Sequence, residues 1–145
     1  TFIITMNNLS IVGLKQLLEH ILYLRKAHTT TYQRIWFDTP LLRTPEWQSM
    51  QILPKSYQQC LWDCINFMND NLDEMHGFKD YEVLKMRRDL QWMQEGTPDI
   101  ERKQADFYRF FSEHDRRRGT NFLETFPEMQ SFWDNCMHRS RDATS

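Results

Sequence analysis

Among the residues whose type and spacing could support chemistry, the cysteines stand out first. Cys60-Leu61-Trp62-Asp63-Cys64 places two thiols at i and i+4, on one face of a helix, where they could form one edge of a metal site. Structural zinc needs four ligands and catalytic zinc three, so the rest would have to come from Cys136 and His138, or from His76. No second pair has zinc-knuckle spacing. Both thiols also fall among Tyr57, Leu61, Phe67 and Met68, and free cysteine is among the most buried residue types, which favours core packing. Neither a glycine-rich phosphate loop nor a G-x-S-x-G nucleophile elbow occurs. His20 and His28 read as solvated helix residues. The run His114-Asp115-Arg116-Arg117-Arg118-Gly119 invites a nucleic-acid reading, but it has the make-up of a helix end. Cations there meet the negative pole of the helix, at roughly 0.3–1 kcal/mol each when exposed, and a glycine then turns the chain.

The elements that would position a site begin with Phe2–Met6, an apolar, β-branched run suited to a buried strand. Asn7 and Asn8 end it with turn chemistry, and Ser10 can cap the helix after it. Leu14, Leu17, Leu18, Ile21 and Leu24 recur at helical spacing, so a helix is expected over about residues 11–27. Gln33–Phe37 reads as a second strand that Asp38-Thr39-Pro40 stops, because proline has no N–H for a ladder. Strand, helix and strand within this length match one βαβ unit, the building block of parallel sheets. In such architectures the site lies at the carboxyl ends of the strands. The candidates are therefore Asn7 and Asn8 after the first strand and Asp38 and Thr39 after the second, with Arg43 close behind; equally, all are ordinary turn residues.

Beyond Pro54 the periodicity is helical. Tyr57, Leu61, Cys64, Ile65 and Met68 make one apolar face; Tyr81, Leu84, Leu90 and Met93 make another, ended by Gly96. Thr97-Pro98-Asp99 restarts a helix that carries Ile100, Phe107, Phe110 and Phe111 inward and stops at Gly119. Thr125 and Glu128, at capping-box spacing, open a last helix with Met129, Phe132, Trp133, Cys136 and Met137 as its stripe, and the tail from Arg139 to Ser145 should fray. The fold class expected is α/β: a βαβ slice of a partial parallel, TIM-like barrel over residues 1–54, then a mainly α-helical extension over 55–145.

Totals bound the function. A length of 145 residues suits one domain, and the 14% of aromatic residues predicts a core or interface rich in rings. The net charge of -2 lacks the basic excess of a dedicated duplex-DNA binder, so no DNA partner is expected. No apolar run reaches the roughly 18 residues of a membrane span, and no signal peptide opens the chain. An odd count of 3 cysteines forms no disulfide framework, which fits a reducing, cytoplasmic setting. The opening Thr1-Phe2-Ile3-Ile4 reads as a strand entered in mid-flow, suggesting part of a longer protein.

TFIITMNNLSIVGLKQLLEHILYLRK (residues 1–26), RIWFDTPLLRTPEWQSMQILP (34–54) and DFYRFFSEHDRRRGTNFLETFPEM (106–129) together resemble the C-terminal half of radical S-adenosylmethionine (radical SAM) proteins of the twitch-domain type. The first resembles a late strand and helix of the family's partial barrel, the second its closing strand and the segment after it, and the third its helical tail. The resemblance implies that the intact parent cleaves S-adenosylmethionine reductively at a [4Fe-4S] cluster and abstracts hydrogen from a substrate of unknown identity. Asn7, Asn8 and Asp38, picked out by their place after the strands, are then the candidates for contact with cofactor or substrate. The family's cluster motif is Cys-x3-Cys-x2-Cys; Cys60 and Cys64 have its first spacing, but Phe67 stands at the third position, so the cluster role is not transferred to them. The rival expectation, from composition and the lack of a complete catalytic set, is a small, mostly helical protein–protein interaction module without catalysis.

Overall fold

The computed structural model describes residues 1–142. In chain order the elements are β1 (Phe2–Ile3), α1 (Leu14–His28), β2 (Phe37–Asp38), α2 (Gln58–Asn69), α3 (Asp80–Glu95), α4 (Ile100–Arg118), the short α5 (Phe122–Thr125) and α6 (Gln130–Asp142), with a 3-10 turn before α1, three between β2 and α2 and one before α6. The strands pair in parallel, Phe2 opposite Phe37 and Ile3 opposite Asp38, with α1 as the crossover.

The expected α/β barrel slice does not form. The protein is mainly helical, and among the described residues the sheet stops at two strands. One βαβ unit is present, but the helices after it pack on one another rather than on further strands: α2 on α3, and most extensively α4 on α6. The aromatic residues explain that choice. Phe107 is fully buried, with ring centroids of Phe111 at 4.8 Å, Phe132 at 5.1 Å and Phe122 at 5.6 Å around it. Phe122 stacks on Trp133 at 4.5 Å. Rings from α4, α5 and α6 thus satisfy each other's apolar area, and a sheet face is not needed to cover them.

Several boundaries reflect the local chemistry. The α1 stripe Leu14, Leu18, Ile21 and Leu22 is buried, and the helix starts one 3-10 turn later than expected, after Ile11–Gly13. Gly96 and Gly119 adopt φ of 71° and 65° at the ends of α3 and α4, backbone that glycine takes without a Cβ penalty. The restart after Gly96 differs from expectation: α4 is entered through Asp99 at φ 54°, and Thr97 does not cap it. Nor does Thr125 cap α6; it ends α5, and Pro127 opens a 3-10 turn that leads into α6. The tail expected to fray from Arg139 is helical through Asp142, and residues 143–145 lie outside the described part.

One buried cation ties the strand pair to the helices. Arg25, in the last turn of α1, is wholly buried. Its Nε donates to the Ile35 carbonyl at 3.1 Å and its Nη1 to the Gly77 carbonyl at 2.9 Å. Nη1 and Nη2 each reach a Glu82 carboxylate oxygen at 2.8 Å. The guanidinium lies 5.2 Å from the Phe37 ring centroid and 5.7 Å from that of Phe78. Glu82 Oε1 also accepts the Lys79 N–H at 2.9 Å, capping α3. A Cβ on Gly77 would collide with the Asn71 carbonyl oxygen, so the turn that presents the Gly77 carbonyl to Arg25 requires glycine.

Removing one partner of a buried ion pair leaves the other charge uncompensated. Arg25→Ala is therefore expected to lower unfolding free energy by about 3–5 kcal/mol, and Gly77→Ala by about 1–3 kcal/mol through overpacking. Urea midpoints of the two variants check the ranking; equal, small losses would contradict it.

Candidate functional site

The residues after the strands are expected, on the βαβ pattern, to share one site. Asn7 is consumed locally: its Oδ1 accepts the Leu9 N–H at 2.8 Å and the Ser10 N–H at 3.0 Å, which makes it the turn residue itself. Ser10 does not cap the helix but braces the same turn, its hydroxyl donating to the Thr5 carbonyl at 2.8 Å. Asn8 is wholly buried, donating from Nδ2 to the Trp47 carbonyl at 2.8 Å, while its Oδ1 has no hydrogen-bond partner. That orphaned acceptor is the most polar unexplained feature at the end of β1.

Asp38 lies elsewhere. It pairs with Ile3, near the start of β1, and points to the exposed face of the sheet, where it meets Lys85 of α3. The reason is that the strand pairing does not stop at Pro40. Met6 donates to the Pro40 carbonyl at 2.8 Å and Leu42 donates to the Met6 carbonyl at 3.0 Å. By the same spacing the Pro40 nitrogen would serve the Ile4 carbonyl; lacking a hydrogen it skips one rung, and pairing resumes at Met6 opposite Leu41. The carboxyl end of the second strand is thus Leu42–Arg43, and the structure separates Asp38 from Asn7 and Asn8.

Sequence reading passes over a buried carboxyl with a raised affinity for its proton. Asp89 of α3 is buried and accepts the Thr39 hydroxyl at 2.8 Å. Burial pushes its carboxyl up to about 6, against the opposing pull of the Thr39 hydrogen bond and Lys85. The available signal is positional: Asp89 lies between Met86 and Leu90 on the buried side of α3. Arg25 carries the same signal, continuing the Leu14, Leu18, Ile21 stripe.

The cysteines are core residues more than ligands. Cys64 and Cys136 are fully buried, and burial pushes both thiols up to about 12; Cys60 is half-buried, its thiol also raised by burial. The arginine run is a helix-end ion network. Glu113 accepts Arg116 at 2.6 Å and Arg117 at 2.7 Å, which holds its carboxyl down to about 2. Asp115 accepts the Thr120 hydroxyl at 2.7 Å and the Phe122 N–H at 2.9 Å, folding the chain back after Gly119. Among the described residues no helix is long and apolar enough to cross a membrane. Comparison with family models, curated proteins and solved structures finds no match to this chain.

The Asp89 carboxyl sits higher in the folded state than the ordinary value near 3.9 in an unfolded chain. The folded protein therefore holds the proton longer; the stabilising contribution is complete below about pH 4 and is lost as pH rises through about 6. Asp89→Asn keeps an acceptor for Thr39 and removes the buried charge, so it should raise stability at pH 7.5 by about 2–3 kcal/mol and flatten the dependence between pH 4 and 7. Thermal melts across that range check this, and a loss of stability at pH 7.5 would contradict it.

Proposed function

We propose that this chain is a portion of a radical SAM enzyme, contributing a strand pair and a helical C-terminal body to a parent that cleaves S-adenosylmethionine at a [4Fe-4S] cluster. The observation that carries the reading is the condition of the strand pair. Parallel strands are ordinarily covered on both faces, and a pair of strands is not a stable sheet by itself. Here the face carrying Ile4, Met6 and Thr39 is buried, whereas the opposite face leaves Ile3 73% and Trp36 40% exposed. Residues 2, 4 and 6 direct their N–H groups to β2, so those of Ile3 and Thr5 point to the outer edge, where among the described residues no third strand lies. An apolar, unpaired parallel edge fits a neighbour of further strands.

The cluster itself does not fit this chain. A [4Fe-4S] cluster needs accessible thiolates, and Cys64 and Cys136 are buried thiols pushed up to about 12. The cluster ligands of the proposed parent lie outside these 145 residues. Of the candidates placed after the strands, Asn8 retains an uncommitted acceptor, while Asn7 is spent on its turn and Asp38 on Lys85. The rival reading, a protein–protein interaction module, draws on the ring-filled core of α4, α5 and α6, which needs no sheet to cover it.

The coding DNA upstream of Thr1 separates the two. The enzyme reading expects the frame to stay open and to encode Cys-x3-Cys-x2-Cys. A start codon directly before Thr1, with no such motif in frame, would end it in favour of the module.

A further inference from the structure

A cleft between the segment after β2, the carboxyl-terminal half of α3 and the first turn of α4 brings Arg43 and Lys103 together with a single lining carboxylate, Glu46. It measures about 240 Å³, below the roughly 300–1,000 Å³ of sites for drug-sized ligands, so its occupant is small. Lys103 lines it with a side chain only 8% exposed. The Lys103 ammonium donates to Thr97 Oγ1, and its nearest carboxylate oxygen, Glu46 Oε1, is 4.0 Å away. That carboxylate is already held by Arg102, at 3.1 Å on its other oxygen. A buried ammonium with one hydroxyl partner and a distant, shared counter-charge is under-compensated.

Arg43 adds a second cation at the rim. Its guanidinium rests 5.7 Å from the Trp92 ring centroid, and among the described residues it forms no salt bridge and no side-chain hydrogen bond. Ser49, also on the wall, accepts the Gln51 N–H at 3.1 Å, which leaves its hydroxyl hydrogen to donate. The cleft thus offers a planar guanidinium fork, the remaining ammonium hydrogens and a hydroxyl, with an indole face beside them.

We propose that this cleft binds a phosphate group, either free phosphate or a small phosphate monoester. Its oxygens would accept from Arg43, Lys103 and Ser49, and a monoester's substituent would lie along Trp92. Two cations against one shared carboxylate suit a dianion better than a carboxylate ligand. The assignment goes beyond the enzyme reading and does not depend on it.

The test is amide shift mapping with inorganic phosphate, phenyl phosphate and acetate, each against chloride at matched ionic strength. Phosphate should give saturable shifts at Ser49, Thr97 and Lys103. Loss of one charge-assisted hydrogen bond in Arg43→Gln should weaken binding about tenfold or more, and Lys103→Met should abolish it. Tighter binding of phenyl phosphate assigns a monoester, and equal or weaker binding assigns the free ion. Absence of saturable shifts, shifts unchanged in Arg43→Gln, or acetate binding as tightly as phosphate would each overturn the proposal. Arg43 lies at the rim and outside the core, so its variant decides the matter even if Lys103→Met does not fold.

Discussion

The docking of the strand pair onto α1 and α3 depends on a single buried guanidinium. Burying a cation is costly unless its donors are used and its charge is met, and Arg25 meets both demands with Glu82 and the carbonyls of Ile35 and Gly77. Those partners come from distant parts of the chain. The bond to Ile35 sets where β2 begins relative to α1, and the bond to Gly77 draws in the connection between α2 and α3. The bond to Glu82 fixes the first turn of α3, because the same carboxylate caps the Lys79 N–H. The Phe37 and Phe78 rings, themselves edge-to-face at 6.1 Å, close the guanidinium off from water.

That anchor makes the strand pair asymmetric. Its inner face is committed to α1 and α3 through Ile4, Met6 and the Thr39–Asp89 bond, while the outer face leaves Ile3 and Trp36 exposed. The second half of the molecule is organised differently, by rings of α4, α5 and α6 around Phe107, and it joins the first through a continuous apolar cluster that runs from Ile4 to Cys136. The proposed enzyme role concerns the outer face and edge of the strands; the phosphate cleft lies where the segment after β2 meets α3 and α4.

Local signals are legible in the sequence. The α1 stripe, the stops at Gly96 and Gly119 and the turn at Asn7 all rest on interactions within a few residues, and they appear where the residue types place them. Long-range consequences are not legible. A single βαβ pattern says nothing about how many strands accompany it, so extrapolating it to a barrel slice overreaches once aromatic helices can cover each other. Pro40 reads as the end of a strand, yet losing one N–H costs one rung and not the ladder. That reading sets Asp38 at the wrong end of the pair. Arg25, Asp89 and Lys103 share a different failing: each is a charge on the buried side of a helix, and periodicity read only from apolar residues steps over them.

Native-state hydrogen exchange in Arg25→Met tests the anchoring role most directly. The long apolar side chain fills part of the space but cannot bond Ile35, Gly77 or Glu82. Protection of the Ile4, Met6 and Leu42 amides, and of the first turn of α3, should fall toward that of a local opening, while amides of α4 and α6 keep theirs. Uniform loss across all helices, or strand-pair protection equal to that of the parent chain, would contradict Arg25 as the local anchor of the strand pair.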